Sequence, residues 1–181
     1  MEGDGMSDTA KRRIFTMLDA DGDGVITRGE YLARVDRAAA ACGRDPQHPL
    51  VGAARAAHEE VFRQMDANGD GAVTLKEYSD WAGHDAFEES CRPALGSLFD
   101  LADLDGDGHL TRDEFTLLRT ATGNSSQGAA AAFTALDPGG AGTVHRSTYL
   151  AAIRDYLTTG TSPMADAYPH DHPAPAQTLT R

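Results

Sequence analysis

Cysteine is nearly absent from this chain: Cys42 and Cys91 stand far apart in 181 residues. Neither sits in a CxxC or Cys/His zinc spacing, so the two read as free thiols in a reducing compartment, not as a disulfide framework. Basic residues are few as well. Against 28 Asp and Glu there are 16 Lys and Arg, leaving a formal charge of −12. That acid excess argues against nucleic acid or an anionic membrane as partner and favours cations or a basic protein. No run approaches the roughly 20 apolar residues of a spanning helix. The opening "MEGDGMSDTAKRRIF" has neither the basic-then-apolar order of a secretory signal nor a glycine directly after Met1 for myristoylation. A cytoplasmic location is therefore expected. No nucleophile–base pair and no phosphate-binding loop is visible, so the chain is not expected to be an enzyme.

What is abundant is acid at alternate positions. "DADGDGVITRGE" runs from Asp19 to Glu30, and its three aspartates repel one another unless something positive lies between them. The pattern returns in "DANGDGAVTLKE", Asp66 to Glu77, and in "DLDGDGHLTRDE", Asp103 to Glu114. Each copy has acid or amide at positions 1, 3 and 5, Gly at 6, an aliphatic residue at 8, Thr at 9 and Glu at 12. A worn fourth copy, "DPGGAGTVHRST", Asp137 to Thr148, keeps Asp at 1, Gly at 6 and Val144 at 8 but has no acid at 3, 5 or 12.

The repeat resembles the EF-hand calcium loop. A hard cation wants six to eight oxygens, which carboxylates and carbonyls supply. The candidate ligands are Asp19, Asp21, Asp23, the Val25 carbonyl and Glu30 in the first loop. In the second they are Asp66, Asn68, Asp70, the Ala72 carbonyl and Glu77; in the third, Asp103, Asp105, Asp107, the His109 carbonyl and Glu114. Position 9 acts through a water, and the glutamate at 12 is long enough to chelate with both oxygens. Asn68 replaces an acid, so the second site is expected to be the weakest. Three sites for Ca²⁺ follow, with Mg²⁺ competing for the same carboxylates.

Helices are expected on both sides of each loop. Ile14, Phe15 and Leu18; His58, Val61, Phe62 and Met65; Leu95, Leu98, Phe99 and Ala102; and Ala129, Ala132, Phe133 and Leu136 each form an apolar stripe at helical spacing. Thr27-x-x-Glu30, Thr74-x-x-Glu77 and Thr111-x-x-Glu114 read as capping boxes that start the exit helices. Pro46 and Pro49 interrupt the first inter-loop segment, and "GNSSQG" interrupts another. Asp85-x-x-Glu88 also reads as a capping box, but Pro93 would then lie inside the third entering helix, so that helix either kinks there or starts nearer Ser90. "KRR", Lys11 to Arg13, reads as the solvent side of the first helix, and Trp81 as packing. His170 and His172 lie in a Pro- and Thr-rich tail with little apolar content.

Four such motifs, a long first inter-loop segment and one degenerate loop resemble the sarcoplasmic calcium-binding protein family, most closely its prokaryotic members of the calerythrin type. The resemblance implies an all-α fold: four EF-hand helix-loop-helix motifs in two pairs forming a compact globule. It also implies a short antiparallel bridge at position 8 of paired loops, joining Ile26 to Val73 and Leu110 to Val144. The expected organisation is a flexible 1–6, a first pair over 7–84, a second over 85–157 and a flexible tail over 158–181. The implied function is a monomeric calcium buffer or carrier whose fourth loop is structural. The alternative is a calcium sensor that binds a target protein. Sensors favour Met-rich surfaces, and this chain has five methionines, two of them (Met17 and Met65) in the helical repeats. Photoproteins share the fold but need an aromatic- and His-lined cavity, which one Trp and 7% aromatics make a poor match.

Overall fold

The computed structural model describes residues 4–162. His170, His172 and most of the expected tail lie outside the described residues. Helix α1 spans Asp4–Leu18, already helical three residues before the expected start of the first pair. It is followed by β1 (Val25–Thr27), α2 (Arg28–Ala41), α3 (Pro49–Met65), β2 (Ala72–Thr74) and α4 (Leu75–Trp81). The second half runs through α5 (His84–Ala86), a π-helical turn (Phe87–Cys91), α6 (Arg92–Ala102), β3 (His109–Thr111), α7 (Arg112–Ala121), α8 (Ser126–Leu136), β4 (Thr143–His145) and α9 (Arg146–Thr159). This is an all-α fold with two short strand pairs.

Local chemistry sets the boundaries. Pro49 opens α3 at a position where its missing N–H costs nothing, and the His48 imidazole accepts the Leu50 amide at 3.1 Å. Ser125 caps α8 through the Gly128 amide, 2.9 Å. Gly160, with φ of 72°, closes α9 in the left-handed conformation. The stretch before the third loop follows the reading that puts Pro93 inside the helix: it is helical from His84 onward, with Asp85 in its first turn. A wider π turn precedes Pro93, which falls at the start of the regular α6.

The two bridges form in the expected register. Ile26 faces Val73 and Leu110 faces Val144, all four buried. The four phenylalanines that precede the loops, Phe15, Phe62, Phe99 and Phe133, are all core residues. The pairs then pack on each other: α3 against α6, α2 against α7, and α1 against α9. Side chains from the first pair cap helix ends in the second. Arg44 donates to the carbonyls of Leu101 and Asp103 at 2.9 and 3.0 Å, and Arg37 to that of Ala121 at 3.0 Å. The Lys-Arg-Arg run is not simply a solvent face: Lys11 Nζ donates to the Ser79 carbonyl and Arg13 Nη1 to the Tyr156 hydroxyl. No helix among the described residues is long and apolar enough to cross a membrane.

Candidate metal centre

Each acidic loop starts where a helix ends. The Asp19, Asp66 and Asp103 amides close the last turns of α1, α3 and α6 on the carbonyls of Phe15, Phe62 and Phe99, at 2.8–2.9 Å. Their carboxylates then face into the loop. Asp19 accepts the amides of Asp23 and Gly24 at 3.2 and 2.9 Å. Asp66 accepts those of Asp70 and Gly71 at the same distances. Asp103 accepts those of Gly106, Asp107 and Gly108 at 3.0, 3.2 and 2.9 Å. Gly24, Gly71 and Gly108 hold φ between 80° and 92° where the chain turns over this carboxylate. The glycines at position 4, Gly22, Gly69 and Gly106, also have positive φ, a requirement the sequence reading overlooked.

The far end of each loop is built by the capping box. Thr27, Thr74 and Thr111 each accept the amide of the glutamate three residues on. Each threonine donates in return, through amide and hydroxyl, to Oε2 of Glu30, Glu77 or Glu114, at 2.8–3.1 Å. This fixes the glutamate rotamer and leaves Oε1 outside the capping box. In the first loop Glu30 Oε1 accepts the Asp21 amide at 3.2 Å, tying position 12 to position 3.

Carboxylate oxygens of Asp19, Asp21 and Glu30 come within 4.8 Å of one another, as do those of Asp103, Asp105 and Asp107. Asp23 sits beside the first group, accepting the Val25 amide at 3.0 Å. Glu114 Oε1 reaches the Leu104 amide at 3.4 Å. In the second loop Asn68 takes the middle place. Its Oδ1 accepts the Asp70 amide and its Nδ2 donates to Asp70 Oδ2, so an amide stands where the other two loops have a carboxylate. Val25, Ala72 and His109 open the strands β1, β2 and β3.

Crowding shows in the titration of these acids. The Asp23 amide favours the charged form of Asp21, but burial and the charges of Asp23 and Glu30 outweigh it and raise its pKa. Burial raises Asp103, helped by Asp105 and Asp107, against the Gly108 amide, while the Asp107 amide holds Asp105 low. Burial acts to raise Glu30, but the amide and hydroxyl of Thr27 prevail and lower it. These are oxygen donors of one sign in a small space, a set suited to a hard cation.

The fourth loop keeps the frame without the donors. Asp137 accepts the amides of Ala141 and Gly142, both at 2.8 Å, and β4 pairs with β3. Pro138, Gly139, Gly140 and Ala141 carry no side-chain oxygen.

The comparisons agree with this geometry. The EF-hand domain pair family matches residues 7–83, and the EF hand family matches residues 95–118. A calcium-binding protein of Streptomyces coelicolor, described for prokaryotic calcium-mediated regulation, is 30% identical. Its match covers 83% of this chain and 98% of that one, with a TM-score of 0.70. The chain belongs to the EF-hand calcium-binding proteins. Two more distant structures share the fold. The coelenterazine-binding protein of Renilla muelleri is 20% identical over 89% of this chain and 96% of that one, TM-score 0.62. The ctenophore photoprotein berovin, whose three calcium-binding loops bind magnesium, is 19% identical over 81% and 86%, TM-score 0.64. No curated protein matches the chain.

Arg34 and Arg119 escaped the sequence reading. Both are buried between the two EF-hand pairs, among residues singled out there as apolar stripes.

Proposed function

We propose that this EF-hand protein binds three calcium ions, one in each of the loops 19–30, 66–77 and 103–114, and acts as a calcium buffer. The observation that carries the proposal is the shared loop frame with an unequal donor set. Asp19, Asp21, Asp23 and Glu30 would hold one ion with the Val25 carbonyl. Asp66, Asn68, Asp70 and Glu77 would hold the second with the Ala72 carbonyl, and Asp103, Asp105, Asp107 and Glu114 the third with the His109 carbonyl. The ion supplies the positive charge that these crowded acids lack. Loop 137–148 offers Asp137 as its one carboxylate and serves as scaffold. Magnesium would compete for the same carboxylates, as it occupies the loops of berovin.

Buffering is supported by where the apolar surface goes. Helices α1, α2 and α3 bury their stripes against α9, α7 and α6, and Leu104 and Leu117 are the exposed large apolar side chains among the described residues. That leaves no broad groove for a target helix. On this reading the chain is a calerythrin-like buffer, a monomer working in the cytoplasm. The second reading is a sensor, and the observation favouring it is the 30% identical Streptomyces coelicolor protein described for calcium-mediated regulation.

Calorimetric titration of calcium into chelator-stripped protein tests both. Three sites are expected, and Glu30→Gln, Glu77→Gln and Glu114→Gln should each remove one. Retention of three sites in Glu114→Gln would remove that loop from the assignment. A dye for exposed apolar surface should lose signal on calcium binding; a gain would replace the buffer by the sensor.

A further inference from the structure

Between the two EF-hand pairs lies a cavity of about 60 Å³, walled mainly by apolar side chains. Two of its wall residues are arginines, Arg34 from α2 and Arg119 from α7, 5% and 3% exposed. Among the described residues no Asp or Glu lines it. Arg34 Nε is buried without a hydrogen-bond partner, and among the described residues no carboxylate forms an ion pair with Arg34. The Arg34 guanidinium lies 5.6 Å from the centre of the Tyr31 ring. Burial pushes its pKa down, joined by the charge of Arg119 and opposed by Tyr31 and Tyr149. Arg119 Nη1 donates to the Tyr149 hydroxyl at 3.2 Å.

A buried cation without a counter-ion is among the most unfavourable groups a fold contains. A second cation nearby adds repulsion. Leucine or methionine at position 34 would fill the same space without that cost. We propose that this cavity binds a small organic anion, a short-chain monocarboxylate, with its carboxylate on Arg34 and Arg119 and its hydrocarbon part against Met17 and Leu95. The guanidinium fork matches a carboxylate with two parallel hydrogen bonds. Apolar walls disfavour sulfate or phosphate, whose remaining oxygens would find few donors. The size is limited because one water needs at least about 10–15 Å³, so the cavity has room for only a few heavy atoms. The proposal does not depend on the calcium assignment.

Trp81, the only tryptophan, lines the same cavity and provides the signal. Butyrate titrated into the full chain should change Trp81 fluorescence saturably and bind at least ~10-fold more tightly than butyramide, the uncharged analogue of the same shape. Arg34→Met should erase that preference and raise the Tm of the ligand-free protein. Should Arg34→Met not fold, the guanidinium is structural and the proposal falls; Arg119→Met is the second variant and should also erase the preference. An absent or non-saturating butyrate signal overturns the proposal. So does equal binding of butyramide, or equal competition by sulfate.

Discussion

His58 is the most buried histidine among the described residues, 1% exposed, with Nδ1 2.7 Å from the Ala54 carbonyl and its ring 5.4 Å from that of Tyr31. Burial, and then the charge of Arg34, push its pKa down to about 4, against the bond to Ala54. The unfolded chain titrates this group near 6.5. Between those values the unfolded state holds a proton that the folded state refuses, so stability falls as pH drops through the window. The full loss is about 3 kcal/mol. His58→Phe should therefore flatten the pH dependence of metal-free urea unfolding between pH 6.5 and 4 relative to the parent. An unchanged slope would assign the acid sensitivity to other groups. At this scale the loop residues were legible in the sequence, because Asp, Gly, Thr and Glu act on backbone atoms a few positions away. Arg34 was not. A long basic side chain beside Tyr31, Leu32 and Val35 ordinarily carries its charge out to water, and only the docking of α2 on α7 closes that route.

At the scale of elements, the helices before and after each loop and both bridges could be read, since apolar spacing and capping boxes are local signals. The π turn before Pro93 could not. Proline normally ends a helix, and nothing in "FEESCRP" announces the π turn that lets the helix continue. The fourth loop keeps its frame with a single carboxylate. Its Asp137 cap and its pairing with β3 keep Leu110 covered by Val144, both buried. Val144→Ala should lower the stability of the metal-free protein by about 2 kcal/mol and weaken calcium binding in the 103–114 loop, with the number of ions unchanged. Thermal melts in chelator and calorimetry check the two halves. If the variant leaves binding untouched, the bridge supports the fold without supporting the third site.

The whole molecule carries a formal charge of −12, which three divalent ions would halve. Much of the acid is concentrated in three loops at the ends of the helices that form the core, so repulsion within the loops is expected to oppose the packing of those helices. Two effects should then separate experimentally. Calcium binds the folded state, and each independent site adds about 2.7 kcal/mol at a 100-fold excess over its Kd. Simple salt binds no site but screens exposed charges, with a Debye length falling from about 30 Å at 0.01 M to about 8 Å at 0.15 M. Raising KCl across that range should raise the Tm of the chelator-treated protein and narrow its gap to the calcium-loaded form, whose repulsion is already relieved. Magnesium should fall between the two. A metal-free protein whose Tm ignores salt would mean that the acidic loops do not oppose folding, and that calcium stabilises by coordination alone.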